Sequence, residues 1–281
     1  MAQLVKPFTR REGLVRAAST LALLPFAAHP RLIASQSTSD RDDADATGDA
    51  ASDSLNANVD LCQQIIVPAY FDPGPAWDRA IDGPAGIMIL NPNSGAGNYQ
   101  DRWKTVTQNA QRNGVEILGY VRTNLAKRPP KEVKKEIDNY FRWYGVNGIF
   151  FDVATGTAKT IRYYRDLADY VHKRPSRPLV ALNPALALNE RYLSFVDILS
   201  IYEWKHSQYK KKKLPAWIHK YGPERFIHII YDVPNQSAAL ATLNLSKQRN
   251  AGYVFITNVS NPTRVYKSLG NHWNLLVNNV C

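Results

Sequence analysis

From about residue 60 onward, the chain carries short apolar runs rich in Ile, Val and Phe, each followed by polar residues. Runs that are almost continuously apolar are typical of parallel strands, because both faces of such a sheet are covered. The pattern therefore predicts eight strands. They cover Gln64–Tyr70, Gly86–Leu90, Glu116–Val121, Gly148–Phe151, Leu179–Leu182, Val196–Tyr202, Phe226–Tyr231 and Gly252–Thr257.

Segments with helical spacing separate these runs. Pro129-Pro130 opens the clearest one, in which apolar residues recur from Val133 to Tyr144. Others are predicted at Ala158–His172, Gln236–Asn250 and Pro262–Trp273, with shorter ones at Asn189–Ser194 and Leu214–Tyr221. This alternation predicts an α/β fold, a single-domain (β/α)8 TIM-type barrel. A doubly wound open sheet is the alternative, but the sequence lacks its Gly-rich dinucleotide turn.

The N-terminal part of the chain has the features of an export signal. A basic stretch containing Arg10-Arg11 precedes the apolar run Ala17–Ala28, which is shorter than the ~20 residues of a transmembrane helix. Residues 1–35 are therefore predicted to be a twin-arginine-type export signal, which implies a periplasmic or extracellular location without stable membrane insertion. A cytosolic amphipathic helix is the alternative. Residues 36–58, rich in Ser, Asp and Ala, are predicted to be a disordered acidic linker before a barrel domain at 59–281.

Composition narrows the classes of function. With 44% hydrophobic residues, the chain of 281 residues can bury a sizeable core, and two cysteines exclude a disulfide-dense scaffold or a four-cysteine zinc site. The histidines show no metal-ligand spacing, so we expect neither a metal nor another cofactor. The net charge is +11; residues 1–35 carry +4 and the linker −5, which leaves +12 for the barrel. This surplus and the run Lys210–Lys213 leave open a basic cell-surface adhesive protein, but no nucleic-acid-binding motif is present.

Polar and aromatic residues follow the predicted strands. In a barrel of this type the active site lies at the carboxyl ends of the strands, so these residues are expected to face one cavity. Aromatic rings stack on sugar faces, while amide and hydroxyl groups bind sugar hydroxyls. The candidate substrate-binding residues are Tyr70, Asp72, Asn91, Ser94, Tyr120, Arg122, Asn183, Tyr202, Trp204, His228, Tyr231 and Asn258. For His228 a core role is an equal alternative, and Asp72 also suits a turn.

Two carboxylates are the candidate catalytic residues. Asp152 directly follows strand four, and Glu203 ends strand six. A pair of carboxyl groups at one cavity suits glycoside hydrolysis, in which one protonates the leaving oxygen and the other acts as nucleophile or activates water. The alternative is structural: Asp152 caps a loop, and Glu203 pairs with a cation such as Arg122 or Lys205.

Five blocks in order along the chain carry a family resemblance. They are Ile66–Pro73, Ile89–Gly97, Ile117–Thr123, Gly148–Asp152 and Leu182–Pro184. Together they resemble spherulation-specific family 4 (spherulin-4-like) proteins, related to glycoside hydrolase family 135. The resemblance implies a (β/α)8 glycosidase, endo-acting on polysaccharides that contain N-acetylgalactosamine, such as galactosaminogalactan. We accordingly expect an exported, monomeric enzyme with a polysaccharide substrate.

One position departs from the pattern of that family. The family places an Asp-Glu pair after strand four and a Glu after strand six; Asp152 and Glu203 match, but Val153 stands where the first Glu is expected. The resemblance still implies a working pair, with Asp152 as nucleophile or acetamido-orienting group and Glu203 as acid/base. A catalytically weak or inactive carbohydrate-binding protein is the alternative.

Charge also bears on the substrate. A partly deacetylated amino-sugar polymer is cationic and would be repelled by a barrel of +12. Either an acidic groove dominates locally, or the substrate is neutral or anionic.

The two cysteines lie near the two ends of the predicted barrel. Cys62 precedes the first strand and Cys281 ends the chain after the last helix, so both are expected at the bottom of the closed sheet. A disulfide between them is one prediction, suited to an exported protein, and two free thiols are the other.

Overall fold

The computed structural model describes residues 62–186, 188–261 and 264–280. They form one closed barrel of eight parallel strands in chain order, in which the first strand pairs with the last. The strands are β1 Gln64–Ala69, β2 Ala85–Leu90, β3 Glu116–Arg122, β4 Gly148–Thr155, β5 Leu179–Leu186, β6 Ile198–Lys205, β7 Phe226–Tyr231 and β8 Tyr253–Ile256. The predicted (β/α)8 barrel is confirmed, and the predicted export signal and linker lie outside the described residues.

Helices surround the barrel. They are α1 Pro75–Ile81, α2 Asp101–Arg112, α3 Pro130–Tyr144, α4 Ile161–His172, α5 His206–Tyr209, α6 Gln236–Gln248 and α7 Trp273–Val277. Single turns of 3-10 helix lie at Ala158–Thr160, Glu190–Ser194, Ala216–Lys220 and Pro223–Arg225. Within the described part of the chain, no helix combines the length and apolar character needed to cross a bilayer.

The apolar strands are buried both inside the barrel and beneath the helices. Strand β3 shows how closely the two layers approach. A Cβ atom at Gly119 would lie 2.6 Å from the ring of Tyr140, so only glycine lets α3 pack here. The Tyr140 hydroxyl then donates a hydrogen bond to the carbonyl of Leu90 on β2, at 3.2 Å. Buried polar groups of this kind need partners, and here the neighbouring strand supplies one.

The helix predicted over Pro262–Trp273 is wrong. The described residues from Arg264 to Gly270 form turns, and the helix begins only at Trp273. Val265, Leu269 and Trp273 are all buried, which explains the helical spacing, but a loop buries them. Gly270 interrupts the pattern because its backbone is left-handed, with φ 72°. The segment after β8 is therefore a loop over the barrel mouth.

The two chain ends of the barrel meet at its bottom. The amide of Gln63 donates a hydrogen bond to the carbonyl of Val280, at 3.2 Å. Cys62 is disulfide-bonded, whereas Cys281 lies outside the described residues. The hydrogen bond joins the neighbours of the two cysteines, and the pairing of Cys62 with Cys281 stays a prediction.

Candidate active site

Three adjacent strands bring together the two predicted catalytic acids. Asp152 lies on β4, Asn183 on β5 and Glu203 on β6, so one amide lies between two carboxyl groups. The Nδ2 group of Asn183 donates a hydrogen bond to Oδ1 of Asp152 at 2.8 Å and another to Oε2 of Glu203. An amide nitrogen carries two protons, one for each carboxyl group. Asp152 and Glu203 are called the carboxyl pair below.

The shared donor limits the distance between the two acids. A hydrogen bond joins heavy atoms that are at most ~3.2 Å apart. With 2.8 Å between Asn183 and Asp152, the facing oxygens of the carboxyl pair lie within about 6 Å of each other. Retaining glycosidases hold their two carboxyl groups about 5–5.5 Å apart, and inverting enzymes about 6.5–9.5 Å. The upper limit of about 6 Å for the facing oxygens lies between these two ranges.

The surroundings of Glu203 raise the pKa of its carboxyl group. Burial and the negative charge of Asp152 raise the pKa of Glu203 to about 7, against the lowering effect of hydrogen bonds from Tyr266 and Asn183. The Tyr266 hydroxyl donates to Oε1 while Asn183 donates to Oε2, so both oxygens have partners. Glu203 does not pair with Lys205, which lies 3.8 Å from Asp232. A carboxyl group with this pKa is suited to general acid catalysis near neutral pH.

Three tyrosines adjoin the carboxyl pair. The ring of Tyr70 packs edge-on against Tyr120 and Tyr266, with 5.2 Å between ring centroids in each pair. Burial raises the pKa of Tyr120, and the charge of Asp152 and a hydrogen bond to it raise it further. These hydroxyl groups stay protonated and therefore act as hydrogen-bond donors beside the acids.

A cavity of about 850 Å³ opens above the carboxyl pair. Its described wall includes Asp152, Asn183, Tyr202, Glu203, Trp204, Gln208, Lys212, Lys213, Tyr231 and Tyr266. Trp204 is 56% exposed, and its ring packs against the buried Tyr231 at 6.3 Å. An exposed indole held by a second ring is a suitable platform for a sugar face.

Two of the predicted substrate-binding residues are engaged elsewhere. Asp72 is exposed and forms an ion pair with Arg102 at 3.2 Å. Because β1 already ends at Ala69, Asp72 belongs to the loop that leads to α1. His228 is buried in the core, where its Nδ1 lies 2.6 Å from the Tyr209 hydroxyl and burial lowers its pKa to about 3. The core alternative for His228 matches this position.

Four further candidates lie outside the described cavity wall, as Tyr70 and Tyr120 also do. The Asn91 side chain accepts a hydrogen bond from the Gly95 amide at 2.9 Å, which stabilises its own loop. The side chain of Asn258 likewise accepts from the Asn271 amide, at 2.8 Å. Ser94 and Arg122 are exposed. Asn91 and Asn258 therefore stabilise the loops that follow their strands.

Val153 has a strained backbone next to Asp152. Strand β4 is irregular between Phe151 and Ala154, and Val153 has φ 48°. A β-branched residue in the left-handed region is a steric outlier, of the kind that costs about 1–3 kcal/mol. The carbonyl of Val153 accepts a hydrogen bond from the Leu125 amide at 2.7 Å, which holds this conformation. The irregularity lies directly beside Asp152, a position typical of bulges next to active sites.

Sequence reasoning missed Tyr266 and the cavity-lining lysines Lys212 and Lys213. The apolar spacing predicts a helix around Tyr266, and such a helix gives no reason to expect its hydroxyl at Glu203. Lys212 and Lys213 belong to the run Lys210–Lys213, for which the sequence predicts a solvated loop after strand six, with contact to an anionic polymer or a lipid surface as the alternative. A metal site is not formed by the described side chains, which bring no three His, Cys, Asp or Glu residues together.

We predict that Val153→Asn stabilises the protein. Asn tolerates the left-handed region far better than a β-branched residue, so the free energy of unfolding should rise by about 1 kcal/mol. Urea denaturation followed by circular dichroism measures the change. Val259→Asn is the matched control, because Val259 is also half-buried but has an ordinary backbone. A loss of stability in Val153→Asn as large as in the control would contradict the strain.

Known structures resemble this barrel. The crystal structure of Aspergillus clavatus Sph3 in complex with GalNAc superposes with a TM-score of 0.67 and 27% identity, over 78% of this chain and 97% of that chain. A GH18 chitinase from Pseudoalteromonas aurantia superposes with a TM-score of 0.52 and 13% identity, over 78% of this chain and all of that one. The second likeness concerns the fold alone.

Sequence comparison gives the family. Spherulin-4 of Physarum polycephalum is 30% identical over 162 residues, which are 55% of this chain and 48% of that protein. The chain thus spans about half the length of this relative. The sequence model of spherulation-specific family 4 matches residues 64–280, the whole described barrel. The chain belongs to spherulation-specific family 4.

Proposed function

We propose that this protein is an exported glycoside hydrolase that cleaves a polysaccharide containing N-acetylgalactosamine. Family membership and likeness to a GalNAc-bound relative support a carbohydrate-binding or hydrolase role. The barrel shape alone does not carry the argument, because one fold hosts many activities.

The carboxyl pair is the observation that carries the proposal. Its two acids face one cavity and share the amide of Asn183, and Glu203 has a pKa of about 7. The raised pKa of Glu203 suits the general acid, and Asp152 is left for the second role, since glycosidases divide their chemistry between two carboxyl groups. If Asp152 only capped a loop and Glu203 only formed an ion pair, neither the cavity nor the raised pKa of Glu203 would be expected.

The geometry suggests how the bond is broken. Glu203 donates its proton to the leaving glycosidic oxygen, while the sugar stacks on Trp204. On the opposite face, Asp152 either attacks the anomeric carbon or orients the 2-acetamido group, whose carbonyl oxygen then attacks. The ionised Glu203 next takes a proton from water, which attacks the anomeric carbon and releases the product. Both routes retain the anomeric configuration.

Export is part of the same proposal. The Arg10-Arg11 pair and the apolar run after it support a twin-arginine-type signal. The disulfide-bonded Cys62 suits a protein that works outside the reducing cytosol.

A non-catalytic carbohydrate-binding protein is the second candidate. Val153 favours it, because the family pattern has an acid there and this chain does not. Such a protein would use the same cavity and aromatic wall, but would bind the polymer without releasing sugars. Hydrolysis assays on one polymer separate the two candidates.

We predict that Glu203→Gln removes the activity and retains the fold. Loss of the acid should lower kcat/KM on fully N-acetylated galactosaminogalactan by about 100-fold or more, measured as released reducing ends. Glu190→Gln is the matched control, since Glu190 binds Lys220 and Tyr221 away from the described cavity wall. Equal activity in Glu203→Gln and wild type would refute the assignment. Binding without release by the wild type would establish the second candidate.

Activity should also depend on pH through Glu203. The raised pKa means that the folded protein holds this proton up to pH about 7. The general acid is therefore lost above that pH, and kcat/KM should fall about tenfold for each further pH unit. Residual activity of Glu203→Gln should lack this decline. A wild-type profile that stays level to pH 9 would contradict the role.

A further inference from the structure

A basic loop borders the cavity of the carboxyl pair. Lys210–Lys213 directly follow α5 and are exposed. Among the described residues, no carboxylate lies within 4 Å of any of these four ammonium groups. By contrast, Lys205 lies near Asp232, and Lys220 pairs with Glu190. The loop therefore presents positive charge that the described part of the protein does not neutralise.

Two of the four lysines line the cavity and two do not. Lys212 and Lys213 belong to the cavity wall together with Glu203 and Trp204. Lys210 and Lys211 face a separate pocket on the other side of the loop, which Lys212 and Lys213 also border. The loop thus divides its charge between the candidate active site and a surface outside it.

Within the described cavity wall, the acids are only the carboxyl pair. Both acids already accept hydrogen bonds from protein donors, Asp152 from Asn183 and Glu203 from Asn183 and Tyr266. Val153 adds no further negative charge. Lys212 and Lys213, by contrast, are exposed and have no carboxylate partner among the described residues, so an incoming anion meets two free ammonium groups in this wall.

We propose that the polymer bound here is anionic, with carboxylate or sulfate groups that contact Lys212 and Lys213. This inference rests on the proposed function and specifies its substrate class. A sugar ring stacked on Trp204 leaves its substituents free to reach the loop, and an unpaired ammonium group is a suitable partner for an anion. A cationic, deacetylated amino-sugar polymer would be repelled by the same two charges.

Four forms of one polymer backbone test the proposal. Galactosaminogalactan is prepared fully N-acetylated, deacetylated, carboxylated at C6 or sulfated at C6, so that charge changes while the linkages stay the same. Binding to each immobilised form is measured with the full-length Glu203→Gln protein, which prevents cleavage. The same background carries Lys212→Gln with Lys213→Gln, or the matched control Lys210→Gln with Lys211→Gln.

The expected order of affinity is anionic, then neutral, then cationic. At low salt an anionic form should bind about tenfold more tightly than the neutral form, and high salt should remove the preference. The Lys212/Lys213 double variant should lose most of the preference, and the Lys210/Lys211 variant should keep it. The carboxylated and sulfated arms show which anion is the better ligand.

Three results would overturn the inference. They are a neutral form bound as tightly as both anionic forms, no binding of either anionic form, and equal losses in the two lysine double variants. Hydrolysis by the wild type distinguishes this failure from that of the proposed function. Cleavage that depends on Glu203 but ignores charge would leave the proposed function standing without the inference. Lysine-dependent binding of an anionic form without cleavage would support the anionic ligand and contradict the proposed hydrolysis.

Discussion

One amide group connects the two acids on which the candidate site depends. Asn183 donates one proton to Asp152 and one to Glu203, so the carboxyl pair is held at a short separation on three neighbouring strands. Two carboxyl groups so close together are costly to ionise at once, and burial adds to that cost at Glu203. The same constraint fixes the geometry of the carboxyl pair and, through the charge of Asp152, contributes to the raised pKa of Glu203.

The barrel supplies this arrangement through its irregular parts as much as through its regular ones. Parallel strands in chain order place β4, β5 and β6 side by side. The irregularity of β4 lies directly beside Asp152, and the Leu125 amide holds the Val153 carbonyl at this point. The loop after β8 brings Tyr266 onto Glu203, which completes the hydrogen bonds of that carboxyl group.

Much of this was predictable, and the remainder has physical reasons. The apolar runs of the sequence predict the strands. The two acids are predicted because Asp152 directly follows one such run and Glu203 lies at the end of another. Tyr266 was not predictable, because Val265 and Leu269 have helical spacing although a loop buries them. A polar residue at the end of a strand either lines the cavity or stabilises a loop, and the sequence does not distinguish these two roles. Asp72, which forms an ion pair with Arg102, is an example of the second role. The strain at Val153 depends on contacts with another strand's loop.

The protonation of Glu203 is the central claim, and carbon-13 NMR of its carboxyl carbon tests it most directly. The signal is assigned by its absence in Glu203→Gln and followed through a pH titration. The structure predicts a pKa of about 7 in the wild type and a lower value in Asp152→Asn, because that change removes the neighbouring negative charge. A wild-type carboxyl group that titrates near 4.5, the ordinary value, and does not respond to Asp152→Asn would contradict the account.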